Sequence, residues 1–257
     1  MCFELDSVPP IPPISGGAPV RSQDVVLGAA DGTRLAGFLA VPDEGARIGI
    51  VVLPDVRGLY RFYEELALRF AERGYAALAF DYFGRTAGVA KRGDEFPYMD
   101  HVAQTTPDEI QQDVRAAADR LRSPEGGGCD VVFAVGFCFG GRNAWLAAAG
   151  GHGLAGAIGF YGSTVERNGA PGPTQRAAEF EAPILALQAG DDANILPEHN
   201  AAFDDALGAA GVEHEVVVYE GAPHSFFDRR FEEYAAQSAD AWERVLAFVE
   251  RYTPPAA

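Results

Sequence analysis

Three side chains of this sequence have the types and the order needed for covalent acyl chemistry: Cys138, an aspartate of the pair Asp191-Asp192, and His224. Cys138 ends the apolar run Val131-Val132-Phe133-Ala134-Val135-Gly136-Phe137, and Phe139-Gly140-Gly141 and a stretch of helix formers follow it. A residue placed between a buried strand and a helix sits on a sharp, strained turn. Neighbouring side chains would collide there, and the glycines at 136 and 140 remove them. Such a turn presents the sulfur at the end of a strand. A thiol of ordinary pKa is only a few per cent thiolate at neutral pH, so it needs a base. His224 would take its proton and later give it to the leaving group. A carboxylate would hold the imidazole in one tautomer and offset its charge. The backbone N–H of Phe139 would donate to an oxyanion. Val56 N–H, in the turn after Leu53, is the expected second donor.

Plainer readings compete at each position. On its own, the cysteine segment also describes a glycine-rich turn around a buried, inert thiol. His101, His152, His199 and His214 are the other histidines. None of them lies in a small-residue turn directly after a strand, as His224 does in E-G-A-P-H-S-F-F. Asp191 and Asp192 are neighbours, so only one can face the histidine, and the other can cap the following turn. The residues alone leave that choice open. Cys129 reads as a packed small hydrophobe, and Cys2 carries no assigned role.

Those three positions need a scaffold, and the hydropathy pattern supplies one. Strands are expected at Asp24–Leu27 and Arg34–Val41, with a hairpin signal in Asp31-Gly32. Further buried strands are expected at Ile48–Leu53, Tyr75–Phe80, Val131–Val135, Ala155–Tyr161, Ile184–Gln188 and Glu215–Tyr219. Helical spacing covers Phe62–Arg73, Thr106–Leu121, the segment after Cys138, Glu198–Ala210 and Phe231–Arg251. Thr106 is the expected N-cap of its helix, with Pro107 at the first position. Residues 84–105 read as a long irregular loop, a candidate lid. Alternation of strands and helices implies an α/β fold with a mostly parallel central sheet covered by helices on both faces. Sites in such folds lie at the carboxyl ends of strands, where all three candidates fall. Residues 1–23 read as a proline-rich arm and 24–257 as one domain.

Composition narrows the partners. The chain has 257 residues, 48% of them hydrophobic, and 37 acidic against 20 basic side chains, a formal net charge of −17. That charge disfavours nucleic acid and anionic membrane surfaces. Three cysteines give no disulfide framework and no Cys/His ligand spacing, so a structural zinc site is not expected; no metal and no cofactor is assigned. The N-terminal segment lacks a basic region and a long apolar stretch, so it is not expected to be a secretory leader, and no apolar run reaches the roughly 20 residues that a span requires. The expected setting is a reducing cytoplasm, with the protein a monomer or weak homodimer.

At this point the chain resembles the dienelactone hydrolase family, a cysteine-nucleophile branch of the α/β-hydrolases, from about residue 24 to residue 250. The motifs are G-F-C-F-G-G around Cys138, the aspartate after the seventh strand, and G-A-P-H-S-F around His224. The nucleophile–acid–histidine order is that of the superfamily. The family's spacing after Gly190 implies Asp192 as the acid. The resemblance also implies a carboxyl group near the nucleophile, here Asp55, where glutamate is usual. It implies Arg85 as the holder of a substrate carboxylate. A second substrate arginine would fall at position 228, which is Asp228, with Arg229 next to it. An acid beside the thiol would keep it protonated at rest and shield it from oxidation. The implied activity is hydrolysis of a dienelactone-like, carboxylate-bearing ester or lactone through a cysteine acyl-enzyme. A broad carboxylesterase is the alternative within the same chemistry. A small-molecule receptor without catalysis is the alternative outside it. Tyr82, Phe83, Phe137, Phe139, Tyr161, Phe226 and Phe227 are aromatic candidates for a pocket or for the core.

Overall fold

The β-branched and aromatic runs form strands, and the amphipathic runs form helices. The computed structural model describes residues 7–93, 95–228 and 230–255. The described residues group into two compact units, residues 7–132 and residues 133–255.

In the first unit, β1 (Val20–Gly28) and β2 (Arg34–Pro42) form an antiparallel hairpin, in register from Val20↔Pro42 to Gly28↔Arg34. β1 starts four residues earlier than expected, and residues 7–19 are irregular. β3 (Ile48–Leu53) has the expected bounds. After α1 (Arg61–Glu72) the chain returns as β4 (Ala76–Phe80), parallel to β3 and antiparallel to β2. The strand order is β1-β2-β4-β3. α1 buries Phe62, Leu66 and Phe70, one face at helical spacing. The segment expected as a long loop contains two short helices, α2 (Gly84–Ala87) and α3 (Tyr98–Val102). Single turns leave no readable period, so the sequence does not reveal them. α4 (Pro107–Arg122) starts at Thr106 with a full capping box. The Thr106 hydroxyl accepts the Glu109 N–H, and the Glu109 carboxylate accepts the Thr106 N–H.

The second unit is built on β5 (Val131–Phe137), which ends at Cys138, the residue before α5 (Phe139–Ala147). β6 (Gly156–Phe160), β7 (Ile184–Asp191) and β8 (His214–Pro223) follow in order, each parallel to its neighbour. The remaining helices are a one-turn α6 (Pro173–Arg176), α7 (Pro197–Ala210) and α8 (Ala235–Tyr252). Two glycines of β6 let aromatic rings close on opposite faces. A Cβ at Gly159 would lie 2.4 Å from the Trp145 ring of α5, and one at Gly156 would lie 2.5 Å from the Phe248 ring of α8. Residues three apart in a strand face opposite ways, so helices cover both faces here. Trp145 also donates its indole N–H to Leu185 O at 3.0 Å and packs with Ile184, Phe203 and Leu207. β7 and β8 run past their expected ends, through a register shift between Ala189 and Asp191 that pairs Asp191 with Pro223. The carboxyl ends of β5, β7 and β8 thus carry Cys138, Asp192 and His224.

Candidate active site

Strain marks the turn at Cys138, whose φ of 55° is one of four positive values among the described non-glycine residues. The strain is held by close packing. A Cβ at Gly136 would lie 2.0 Å from Gly140 O, so no side chain fits between β5 and the first turn of α5. The Cys138 N–H donates to Phe160 O at 2.9 Å, which ties the turn to β6. Cys138 is half-buried at the start of a helix, where the helix dipole favours negative charge. Phe139 is also half-buried, and its N–H begins that helix. Cys129 is the opposite case: buried against Gly49, its thiol is pushed up to about 12 by burial and by Asp130.

His224 and Asp192 meet. The imidazole Nδ1 lies 2.6 Å from Asp192 Oδ2. The other carboxylate oxygen accepts the Asn194 N–H at 2.8 Å, an Asx turn that aims the acid. The Asp192 side chain is fully buried, whereas 31% of the His224 side chain is exposed. Burial pushes the Asp192 carboxyl up. The His224 hydrogen bond and charge, with the Asn194 and Ile195 N–H groups, outweigh it and hold the group below its usual 3.8. Asp191, at the end of β7, is exposed. The Asp192 contact is made at Nδ1, which fixes the plane of the imidazole. The Tyr161 ring packs 5.0 Å from the His224 ring, and its hydroxyl donates to Asp228 at 3.0 Å. Asp228 is buried. That tyrosine–aspartate pair joins residues 67 apart and has no sequence signal beyond the aromatic type of Tyr161. Phe137, Tyr161, Phe226 and Phe227 are buried and pack together, as core. Tyr82 and Phe83 are buried as well, and Phe139 is the partly exposed member of the expected aromatic set.

The first unit holds the other candidates. Asp55 is buried after β3, its N–H donates to the Tyr63 hydroxyl, and its Oδ1 accepts the Arg57 N–H at 2.8 Å. Val56, between them, has no acceptor for its N–H among the described residues. Leu59 N–H donates to Asp81 Oδ1, and Phe83 N–H and Arg92 donate to Oδ2, which pins the turn. Arg85 is engaged elsewhere than expected. Its Nε donates to Asp31 at 2.8 Å, and Nη1 donates to both oxygens of buried Asp113 at 2.8 and 2.9 Å. A substrate carboxylate would have to compete with these two, so the geometry gives the anion role no support. Arg229 lies outside the described residues, as does Cys2. Among the described residues, no three His, Cys, Asp or Glu side chains converge as a metal site, and no helix is long and apolar enough to cross a membrane.

Comparison with known proteins gives a consistent result. The model of the dienelactone hydrolase family matches residues 35–253. A provisionally named carboxymethylenebutenolidase of Yersinia pestis is 30% identical, over 84% of each chain. One with the same provisional name from Escherichia coli (strain K12) is 28% identical over 93% of this chain and 96% of its own length. The crystal structure of a provisionally named dienelactone hydrolase from Klebsiella pneumoniae subsp. pneumoniae MGH 78578 superposes with a TM-score of 0.79. It is 27% identical and covers 91% of this chain and 100% of that one.

Proposed function

This chain belongs to the dienelactone hydrolase family and has its α/β-hydrolase fold, and from that premise we propose that it cleaves a small ester or lactone through a thioester on Cys138. The observation that supports the reading is a strained, half-buried cysteine at a helix start and, in the same compact unit, a histidine held 2.6 Å from a buried carboxylate. In this mechanism Cys138 Sγ attacks the acyl carbon as His224 Nε2 takes the thiol proton. The carbon–oxygen bond of the ester then breaks, and the leaving alkoxide takes that proton from the imidazolium. Water attacks the thioester with His224 again as base, and the proton returns to sulfur. Asp192 stabilises each imidazolium. Phe139 N–H is assigned as one oxyanion donor, and Val56 N–H is the second donor that the resemblance implies. Asp55 stays with the role the resemblance gives it, restraining thiolate formation at rest. The substrate is a small organic ester, no cofactor enters any step, and the expected setting is the cytoplasm.

Two substrate readings follow. Family membership favours a carboxylate-bearing lactone. The occupation of Arg85 by Asp31 and Asp113 favours a broader carboxylesterase acting on neutral esters. Turnover of cis-dienelactone and of a neutral aryl acetate, measured with wild type and Cys138→Ala, separates them. Lactone turnover lost in the variant supports the first reading, and acetate turnover alone, lost in the variant, supports the second. Turnover of neither that depends on Cys138 overturns the hydrolase reading in favour of a non-catalytic receptor.

A further inference from the structure

Arg142 stands one helical turn beyond Cys138 on α5, yet it is buried, 8% exposed. A buried cation is ordinarily matched by a carboxylate. Arg142 instead donates to four backbone carbonyls of one loop: Ser163 at 3.3 Å, Val165, Ala170 at 3.4 Å and Pro171 at 3.1 Å. The charged neighbour that acts on it is another arginine, Arg167. Burial and that repulsion push its guanidinium down to about 10, still charged at neutral pH. Only a planar fork of five donors can gather so many carbonyls, so lysine is no substitute.

The gathered loop is a closed unit. Arg167 and Ala170 exchange both backbone hydrogen bonds, at 3.1 and 2.9 Å, around Asn168 and Gly169. It is also tied to the segment that carries the acid. Thr164 is buried, and its hydroxyl donates to His199 O at 3.2 Å, in the first turn of α7. Arg167 reaches Asn194 O at 3.5 Å and donates to Ser163 Oγ at 3.0 Å. Asn194 in turn donates its N–H to Asp192. Gln188 on β7 donates to Gly162 O at 3.1 Å, at the start of the loop.

We infer that Arg142 is a positioning residue for Asp192: it folds residues 163–171 into a brace between the cysteine's helix and the acid's turn, and so fixes the Asp192–His224 bond. This rests on the proposed hydrolase mechanism for its effect on rate, but not for its effect on the His224–Asp192 bond. An arginine that spends its donors on carbonyls does not recruit substrate, so its loss should act on the chemical step.

The test uses Arg142→Met, Arg142→Lys and Thr164→Val in the full chain, with Cys138→Ala as reference. Turnover, the pH–rate profile, the melting temperature and the downfield proton resonance of the His224 Nδ1–H are measured. Arg142→Met is expected to lower kcat about 10- to 100-fold, with KM within about threefold, the scale of a catalytic group misplaced by an ångström. The acid limb should move to lower pH, because a loosened carboxylate stabilises the imidazolium less. Arg142→Lys should fall between. Thr164→Val, which keeps the cation and cuts one tie, should move the acid limb the same way with a smaller loss of melting temperature. The downfield signal should persist in Cys138→Ala and weaken in Arg142→Met. If melting temperature falls while the acid limb and the downfield signal stay as in wild type, Arg142 only stabilises the fold and the inference is overturned. Should Arg142→Met not fold, an unmoved acid limb and signal in Thr164→Val overturn it equally. If wild type shows no Cys138-dependent turnover, the hydrolase reading fails, and the resonance alone decides this one.

Discussion

Arg85 and His224 both bond to carboxylates, yet they are satisfied to different ends. Arg85 lies between two acids, Asp31 and Asp113, and its side chain is 14% exposed with Asp113 wholly buried. His224 meets one acid at Nδ1 and keeps nearly a third of its side chain open. The first arrangement spends a cation to join a hairpin turn to α4. The second fixes the orientation of a ring that stays partly exposed. A cation–carboxylate contact is structural where both partners are closed in, and the proposed mechanism draws on the one whose histidine stays partly exposed.

Replacing the acid should test the open pair most severely. Asp192→Asn is expected to lower kcat on the order of 10⁴-fold, through loss of the correct tautomer, while Asp191→Asn stays within about twofold. The same variant has a stability signature. Because the folded Asp192 carboxyl lies below its usual 3.8, it contributes stability above that pH and loses it as pH falls through the folded value. The melting-temperature gap between wild type and Asp192→Asn should therefore close in acid.

Breaking the closed pair should cost stability rather than turnover. Arg85→Met leaves Asp113 buried without its cation, a loss of about 3–5 kcal/mol in chemical denaturation. Burial already pushes Asp113 up to about 7, against the pull of Arg85. A group raised in this way stabilises the fold below its unfolded value of 3.8 and loses that contribution as pH rises through 7. Without the pull of Arg85 the carboxyl rises further, so the stability gap between wild type and Arg85→Met should widen as pH rises. A rise in KM for an anionic substrate with stability intact would erase the contrast and return Arg85 to the anion role.

Gly136→Ala would sharpen the comparison from the cysteine side. Its Cβ has 2.0 Å to Gly140 O, so the elbow must open, at about 1–3 kcal/mol, with turnover falling alongside. The smallest expected effect is at Thr106→Ala. Losing that cap should cost about 1 kcal/mol with no change in rate, since it lies in the first unit's scaffold.

Much of this was legible from local pattern. β3 matches residue for residue because a strand buried on both faces is a continuous apolar run. The start of α4 is equally plain, since Thr106, Pro107 and Glu109 each serve a helix end. The one-turn helices were not, because a single turn leaves no readable period, nor were the extra lengths of β7 and β8, which cross-strand pairing makes.

The sequence by itself determined which residue types stand at the ends of strands, and in what order: cysteine, aspartate, histidine. Local steric rules suffice for that, because a strand–glycine–cysteine–helix junction has few conformations. Tertiary structure alone decided the partners. The register shift between β7 and β8 leaves Asp191 exposed and brings Asp192 to His224, which lies 32 residues away. Arg85 goes to Asp113, 28 residues on, and to Asp31, 54 back, and Asp228 goes to Tyr161 across 67. Hydrogen bonds act over a few ångströms in space and carry no trace in a sequence window, so only the folded chain shows which charges are closed in and which stay open.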